Sequence, residues 1–216
     1  LHSLRRRQRQ MCIRDRNKRK KKEALFNTAY ELFTTKGITS TTISDIVEKA
    51  EVAKGTFYLY FTNKYDIKNK LVVHKTQELF DAAGAALEKE QIHGLEDQMI
   101  FLIDHLINHL KDDRALLNFI SKNLVMGALR SALLTGENSD REIYNHFLEL
   151  VAADDYEYKD VDVMLFTIVE LAGSAGYNSM MYEEPIPIDD YKPFLYRTVR
   201  LIIKSHRADA KMELKI

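Results

Sequence analysis

Lys54, Gly55, Thr56, Tyr58 and Tyr60 stand within one short run of the chain, and their chemistry suits a polyanion. A lysine and two tyrosines donate hydrogen bonds to phosphate oxygens, and Gly55 lets backbone approach a duplex closely. Thr56 offers a methyl group and a hydroxyl to base edges. The run predicts a short helix over 54–61 with a narrow apolar side, Val52 and Phe57 with Phe61. The rival reading has Tyr58 and Tyr60 burying their rings between helices, as tyrosines commonly do. Two tyrosines beside a lysine on so short a helix favour nucleic-acid contact.

Something must hold that helix against a duplex. Ile43, Ile46, Val47 and Ala50 recur at the spacing of a helix over 42–50. Thr42 can cap it, and Asp45 three residues on completes a capping box. A tight break follows at Glu51-Val52-Ala53. Two short helices joined by such a turn form a helix-turn-helix, whose second helix enters the major groove.

Residues 18–64 resemble the DNA-binding domain of the TetR family of bacterial transcriptional regulators. The residues that carry the resemblance are Phe33-Thr34-Thr35-Lys36-Gly37, Thr41-Thr42-Ile43-Ser44-Asp45-Ile46, Lys54-Gly55-Thr56-Phe57-Tyr58-Leu59-Tyr60-Phe61 and Asn63-Lys64. The resemblance implies operator contacts from Thr42, Lys54, Thr56, Tyr58, Tyr60 and Lys64. Lys64 opens the next helix, where a cation and free N–H groups can meet a phosphate. The turn departs from the family's usual Gly-Val-Ser. Glu51 replaces the glycine, and a left-handed backbone there costs a non-glycine residue about 1 kcal/mol. Ala53 replaces the serine, losing a cap worth about 1 kcal/mol.

Net charge is zero, but its distribution is uneven. Residues 17–70 hold 11 Lys and Arg against 6 Asp and Glu, whereas residues 71–216 hold 15 against 25. A basic module on an acidic body suits a DNA reader with a separate second domain. Residues 1–16 carry six arginines, and the string Met11-Cys12-Ile13-Arg14-Asp15-Arg16 resembles translated sequencing-adapter sequence. They are read as a non-native leader, with an authentic basic arm as the rival. The only cysteine, Cys12, lies there, so the rest offers neither a disulfide nor a thiol nucleophile. No apolar run reaches the length of a membrane span, and no secretory leader is recognisable, so a cytoplasmic protein is expected.

The expected fold is all-α, with a DNA-binding domain over 17–64 and a helical ligand-binding and dimerisation domain over 65–216. Helices are expected over 17–36, from Lys64 to about Glu90, and over 95–110, 114–134, 141–153, 161–182 and 190–207. The helix over 161–182 is apolar nearly all round and must be covered on both sides. With 190–207 it is expected to build a homodimer, as the resemblance also implies.

No cofactor is expected. His105 and His109 share a helix face, but no third ligand completes a metal site. No nucleophile elbow, calcium loop or phosphate-cradling glycine loop is present. Aromatics and methionines with polar tips suit a pocket between helices. The candidates are Phe101, His105, Phe119, Asn123, Met126, Tyr144, Phe166 and Tyr177, with Phe147 and Met180 beside them, and ordinary core is the alternative for each. The scarcity of cations in this region predicts a neutral or cationic hydrophobic effector, with Asp104, Glu149 or Glu170 as counter-charge for a cation. The expected function is a ligand-responsive regulator, a repressor reading a near-palindromic operator as a dimer. The alternatives are a regulator gated by a protein partner and an enzyme with a DNA-binding appendage.

Overall fold

The structure, a computed structural model, describes the backbone of residues 2–120 and 140–209, with side chains over 16–120 and 143–209. It is all-α: helices α1 (His2–Thr35), α2 (Ile43–Lys49), α3 (Lys54–Tyr58), α4 (Lys64–Leu87), α5 (Leu95–Asp112), α6 (Arg114–Phe119), α7 (Asp140–Ala152), α8 (Val161–Tyr182) and α9 (Ile188–Ser205). Among the described residues the only β-type pairing is one bridge between Tyr158 and Arg207. No described helix is long and apolar enough to cross a membrane.

Helix α1 begins at His2 rather than at Asn17. The arginines and glutamines before Asn17 are good helix formers, so the backbone continues through them without an apolar stripe. Most of the helix expected over 114–134, and the turn expected after it, lie outside the described residues. What is described of it is α6, capped where the Asp113 carboxylate accepts from the Leu116 N–H at 2.9 Å.

The chain forms two compact units, Leu1–Leu71 and Val72–Ile216. The boundary falls seven residues beyond the expected one, inside α4. The first two turns of α4 carry the fully buried Ile67 and Leu71, which belong to the first unit. In that unit α1 buries Leu25, Ala29, Leu32 and Phe33, the face its spacing predicts. Gly37 ends α1 at φ +80°, a conformation that favours glycine. The buried Thr41 hydroxyl then donates to the Gly37 carbonyl at 2.8 Å, fixing the loop toward α2.

In the second unit one apolar core joins α5, α7, α8 and α9 with the later turns of α4, through residues such as Leu95, Ile103, Phe147, Ile168 and Leu195. Gly94, at φ +83°, makes the break before α5. Ion pairs lie along the seam between α5 and α9. Glu96 receives Arg207 at 2.6 Å, Arg200 at 3.4 Å and Lys204 at 3.6 Å. Farther along, Asp104 receives Lys192 at 2.7 Å and the Tyr196 hydroxyl.

Burial opposes ionisation of Asp104, but the bonds from Lys192 and Tyr196 outweigh it and hold the carboxyl below the usual 3.8 of an aspartate. A lowered folded pKa gives stability that is complete above the unfolded value and disappears as pH falls through the folded one. Asp104→Asn should therefore be less stable than the parent at neutral pH. Urea unfolding across pH should show the gap closing below about pH 4, and a gap that persists unchanged at pH 2 would refute the role.

Candidate nucleic-acid interface and ligand cavity

The capping box forms as its spacing requires: Thr42 Oγ1 accepts from the Asp45 N–H at 3.1 Å, and an Asp45 carboxylate oxygen accepts from the Thr42 N–H at 3.0 Å. The N–H bond from Thr42 holds the Asp45 carboxyl below its ordinary range. Ile46 and Val47 turn inward from α2. After Ala50 the chain reverses at Glu51, whose φ is +54°, so this residue takes the left-handed backbone that suits glycine. Ala53 starts α3 with no side-chain cap, as expected from its methyl group.

Helix α3 is anchored by one side chain. Phe57 is fully buried, 5.4 Å centroid to centroid from Phe61, which in turn lies 5.3 Å from Phe26 of α1. With that face inward, Lys54, Gly55 and Tyr58 stand exposed, Thr56 is half-buried, and Thr42 is exposed at the start of α2. A Cβ placed on Gly55 meets nothing within 4 Å, so open space lies over the backbone at that point. Leu59, 78% exposed, extends the same surface.

Two expected contact residues are turned toward the protein instead. The Lys64 ammonium donates to the carbonyls of Ile38 (2.9 Å), Thr39 (3.1 Å) and Thr41 (3.1 Å). An ammonium has three N–H donors, so the loop between α1 and α2 takes all of them. The N–H groups of Tyr65 and Asp66 are capped by Asn63 Oδ1 at 2.8 and 3.0 Å, the N-cap that an asparagine before the helix supplies, so they are not free for a phosphate. Lys64 thus ties α4 to the loop that presents α2. The half-buried Tyr60 directs its hydroxyl to the Lys18 carbonyl at 3.3 Å, in line with the rival reading that its ring packs between helices.

The second unit holds a cavity of about 410 Å³, within the roughly 300–1,000 Å³ of small-molecule sites. Its wall combines one side of α4, from Thr76 to Glu88, with Met99, Leu102, Leu106 and Leu110 of α5, Phe147 and Leu150 of α7, and Ile168, Ala172 and Tyr177 of α8. Thr76 Oγ1 and His146 Nε2 are buried in this wall without a hydrogen-bond partner. Among the described lining residues the only charged groups are Asp81 and Glu88, both exposed, and no lysine or arginine is present.

Of the expected lining, Tyr177, Phe147 and Met180 reach the cavity. Phe101 and His105 stack on each other at 6.1 Å outside it. Phe119 is buried elsewhere, Tyr144 donates to Asp162, and Phe166 is 42% exposed. The bond to Asp162 and burial push the Tyr144 hydroxyl up to about 12. Asn123 and Met126 lie outside the described residues. Asp104, Glu149 and Glu170, expected as counter-charge, are absent from the lining. Sequence reasoning missed the aliphatic wall and all of the α4 contribution, although Thr76, Phe80, Gly84 and Glu88 recur every four residues along that helix. Among the described residues no group of three His, Cys, Asp or Glu is placed to hold a metal.

The profile of the bacterial regulatory proteins of the tetR family matches residues 22–70. Over 81 residues the chain is 37% identical to the uncharacterised helix-turn-helix transcriptional regulator YvdT of Bacillus subtilis, covering 36% of this chain and 37% of the relative. A second such regulator, YuxN of the same organism, is 37% identical over 46 residues, 21% of this chain and 16% of its own. The chain thus spans 37% of one of these curated relatives and 16% of the other. Similar solved structures include the regulator FadR of Bacillus subtilis in complex with stearoyl-CoA, at TM-score 0.55 and 19% identity over 84% of this chain and 97% of that one. A TetR family transcription regulator of Marinobacter aquaeolei VT8 gives 0.55 and 13% identity, over 88% and 98%. Both likenesses concern the fold.

Glu51→Gly should stabilise the first unit by about 0.5–1 kcal/mol, the left-handed cost less the added chain entropy of glycine. Lys64→Met should destabilise it by about 1–2 kcal/mol, through the loss of charge-assisted hydrogen bonds at a partly exposed site. Thermal unfolding of both variants checks the pair. An unchanged Lys64→Met protein would show that the three carbonyl bonds add nothing.

Proposed function

We propose that this chain, whose residues 22–70 match the profile of the tetR family of bacterial regulatory proteins, is a ligand-responsive repressor of that family that binds a near-palindromic operator as a homodimer in the cytoplasm. The observation that carries the reading is the outward face of α3. Lys54, Gly55 and Tyr58 are exposed on a helix whose position is fixed by the buried Phe57. Lys54 and Tyr58 supply phosphate contacts, Gly55 admits the duplex backbone, and Thr56 reads a base edge. Thr42 adds its hydroxyl proton from the start of α2. Lys64 and Tyr60 position the motif, and their contribution to DNA binding is indirect.

Helices α8 and α9 supply the dimer surface. Their inner sides bury Met164, Leu165, Ile168, Leu195, Val199 and Ile203, while Val163, Phe166, Tyr182, Phe194 and Leu201 remain 42–61% exposed. Exposed apolar side chains concentrated on two adjacent helices support a protein interface. A two-fold dimer sets two recognition helices about 34–36 Å apart, one turn of B-DNA. The cavity and the liganded relative support ligand response: an effector favouring one spacing of the recognition helices shifts the population away from the operator-bound state. The domain division in this reading is a DNA-binding part through the start of α4 and a body that holds the cavity.

Selection from random duplexes should return a near-palindrome, and DNase footprinting should protect two half-sites on it. Lys54→Ala should weaken binding to all sequences and lower the salt slope by about one unit per half-site, whereas Thr56→Ala should change preference at one base position. Phe194→Glu with Leu201→Glu should give monomers by sedimentation and lose operator affinity. Selection that yields no consensus, or a monomer that binds as tightly as the parent, would sink the proposal.

A further inference from the structure

We infer that the cavity is selective for charge: it takes an apolar molecule carrying a cationic head and rejects the anionic counterpart of the same length. This rests on the ligand-responsive reading above and names the class of ligand.

Three observations carry the assignment. First, the described wall is aliphatic and aromatic along α5, α7 and α8, so the body of the ligand must be hydrocarbon. Second, that wall contains no lysine or arginine, and its one imidazole, His146, sits 3.7 Å from the position of a Cβ on Gly84, between the two carboxylates along α4. A carboxylate or phosphate carried into such a wall loses its hydration with no cation to replace it. Third, Asp81 of α4 and Glu88, the residue just past its end, are exposed and seven residues apart among the lining residues, about two turns, so both stand where the cavity meets solvent. Among the described residues Asp81 is engaged only by the neutral amide of Gln77, whose Nε2 donates to it at 2.7 Å, and its charge stays uncompensated by that bond.

The head therefore lies at the α4 edge and the tail reaches inward toward Leu106, Ile168 and Tyr177. Inside, among the described residues, Thr76 Oγ1 and His146 Nε2 are buried in the wall without a partner and are free to hydrogen-bond a polar group of a bound molecule.

The test uses four probes with one tail: n-decylamine (protonated at pH 7), 1-decanol, decanoate and decyl phosphate. Each is titrated below its micelle concentration against the full chain by calorimetry. Decylamine should bind tightest, decanol more weakly, and the two anions not measurably. Asp81→Asn combined with Glu88→Gln should lower decylamine affinity about three- to tenfold, the range of exposed charge pairs, and leave decanol unchanged. The same probes are then added to the complex with the selected operator. Release by decylamine supports both readings. Binding of decylamine without release keeps the charge assignment and overturns ligand response. Tighter binding of decanoate or decyl phosphate, with release, overturns the charge assignment and leaves ligand response standing. No binding by any probe overturns the assignment.

Discussion

A five-residue helix has almost no stability of its own, because nucleation fixes several residues before hydrogen bonds accumulate. Helix α3 is such a helix, and it also lacks an N-cap and follows a left-handed glutamate. Its place in the fold therefore depends on the burial of Phe57 against Phe61, and of Phe61 against Phe26. Everything proposed for the outward face follows from that inward one. With Phe57 fixed, Lys54 and Tyr58 have to point away from α1. The polar contacts around the motif close it rather than create it. Lys64 holds the loop before α2, and Lys70 donates to the Tyr60 carbonyl at 3.2 Å while lying 5.5 Å over the Phe61 ring.

The second unit divides the same labour between different surfaces. Helix α9 carries Leu195, Val199 and Ile203 inward, its ion pairs toward α5, and Phe194 and Leu201 outward. The ion pairs are partly exposed, so each adds little to stability alone. Their geometry matters more: Glu96 gathers three cations from the last two turns of α9 and just beyond, which fixes its rotation about its axis. That rotation decides which apolar side chains of α9 stay exposed.

Much of this was legible in the sequence. Helix periods gave all nine described helices to within a few residues, apart from the start of α1 and the length of α6. The capping box and the strain at Glu51 needed only local chemistry, and they appear as expected. The misses share a cause. Lys64 was assigned by its position in a motif, but whether its ammonium faces solvent depends on carbonyls 23–26 residues earlier. Phe101, His105 and Phe166 were chosen for residue type, whereas a wall is set by which side of each helix faces the gap. Phe166 shows the difference: its neighbours Leu165 and Ile168 line the cavity, and its own ring points out.

The relative bound to stearoyl-CoA sharpens the question of what a shared fold transmits. At 19% identity the architecture is common to both chains, and architecture alone does not determine a ligand. An acyl chain and an alkylammonium chain ask the same of a hydrocarbon wall, so a similar cavity suits either. They differ at the head, where a nucleotide-linked thioester carries several negative charges and an ammonium one positive charge. We place that difference at the edge of the cavity, where this chain carries Asp81 and Glu88. Two carboxylates at the entrance repel a polyanion before any contact with the wall is made. In the proposed reading the choice of ligand thus rests on a few exposed positions at the cavity edge, on a described wall that carries no lysine or arginine.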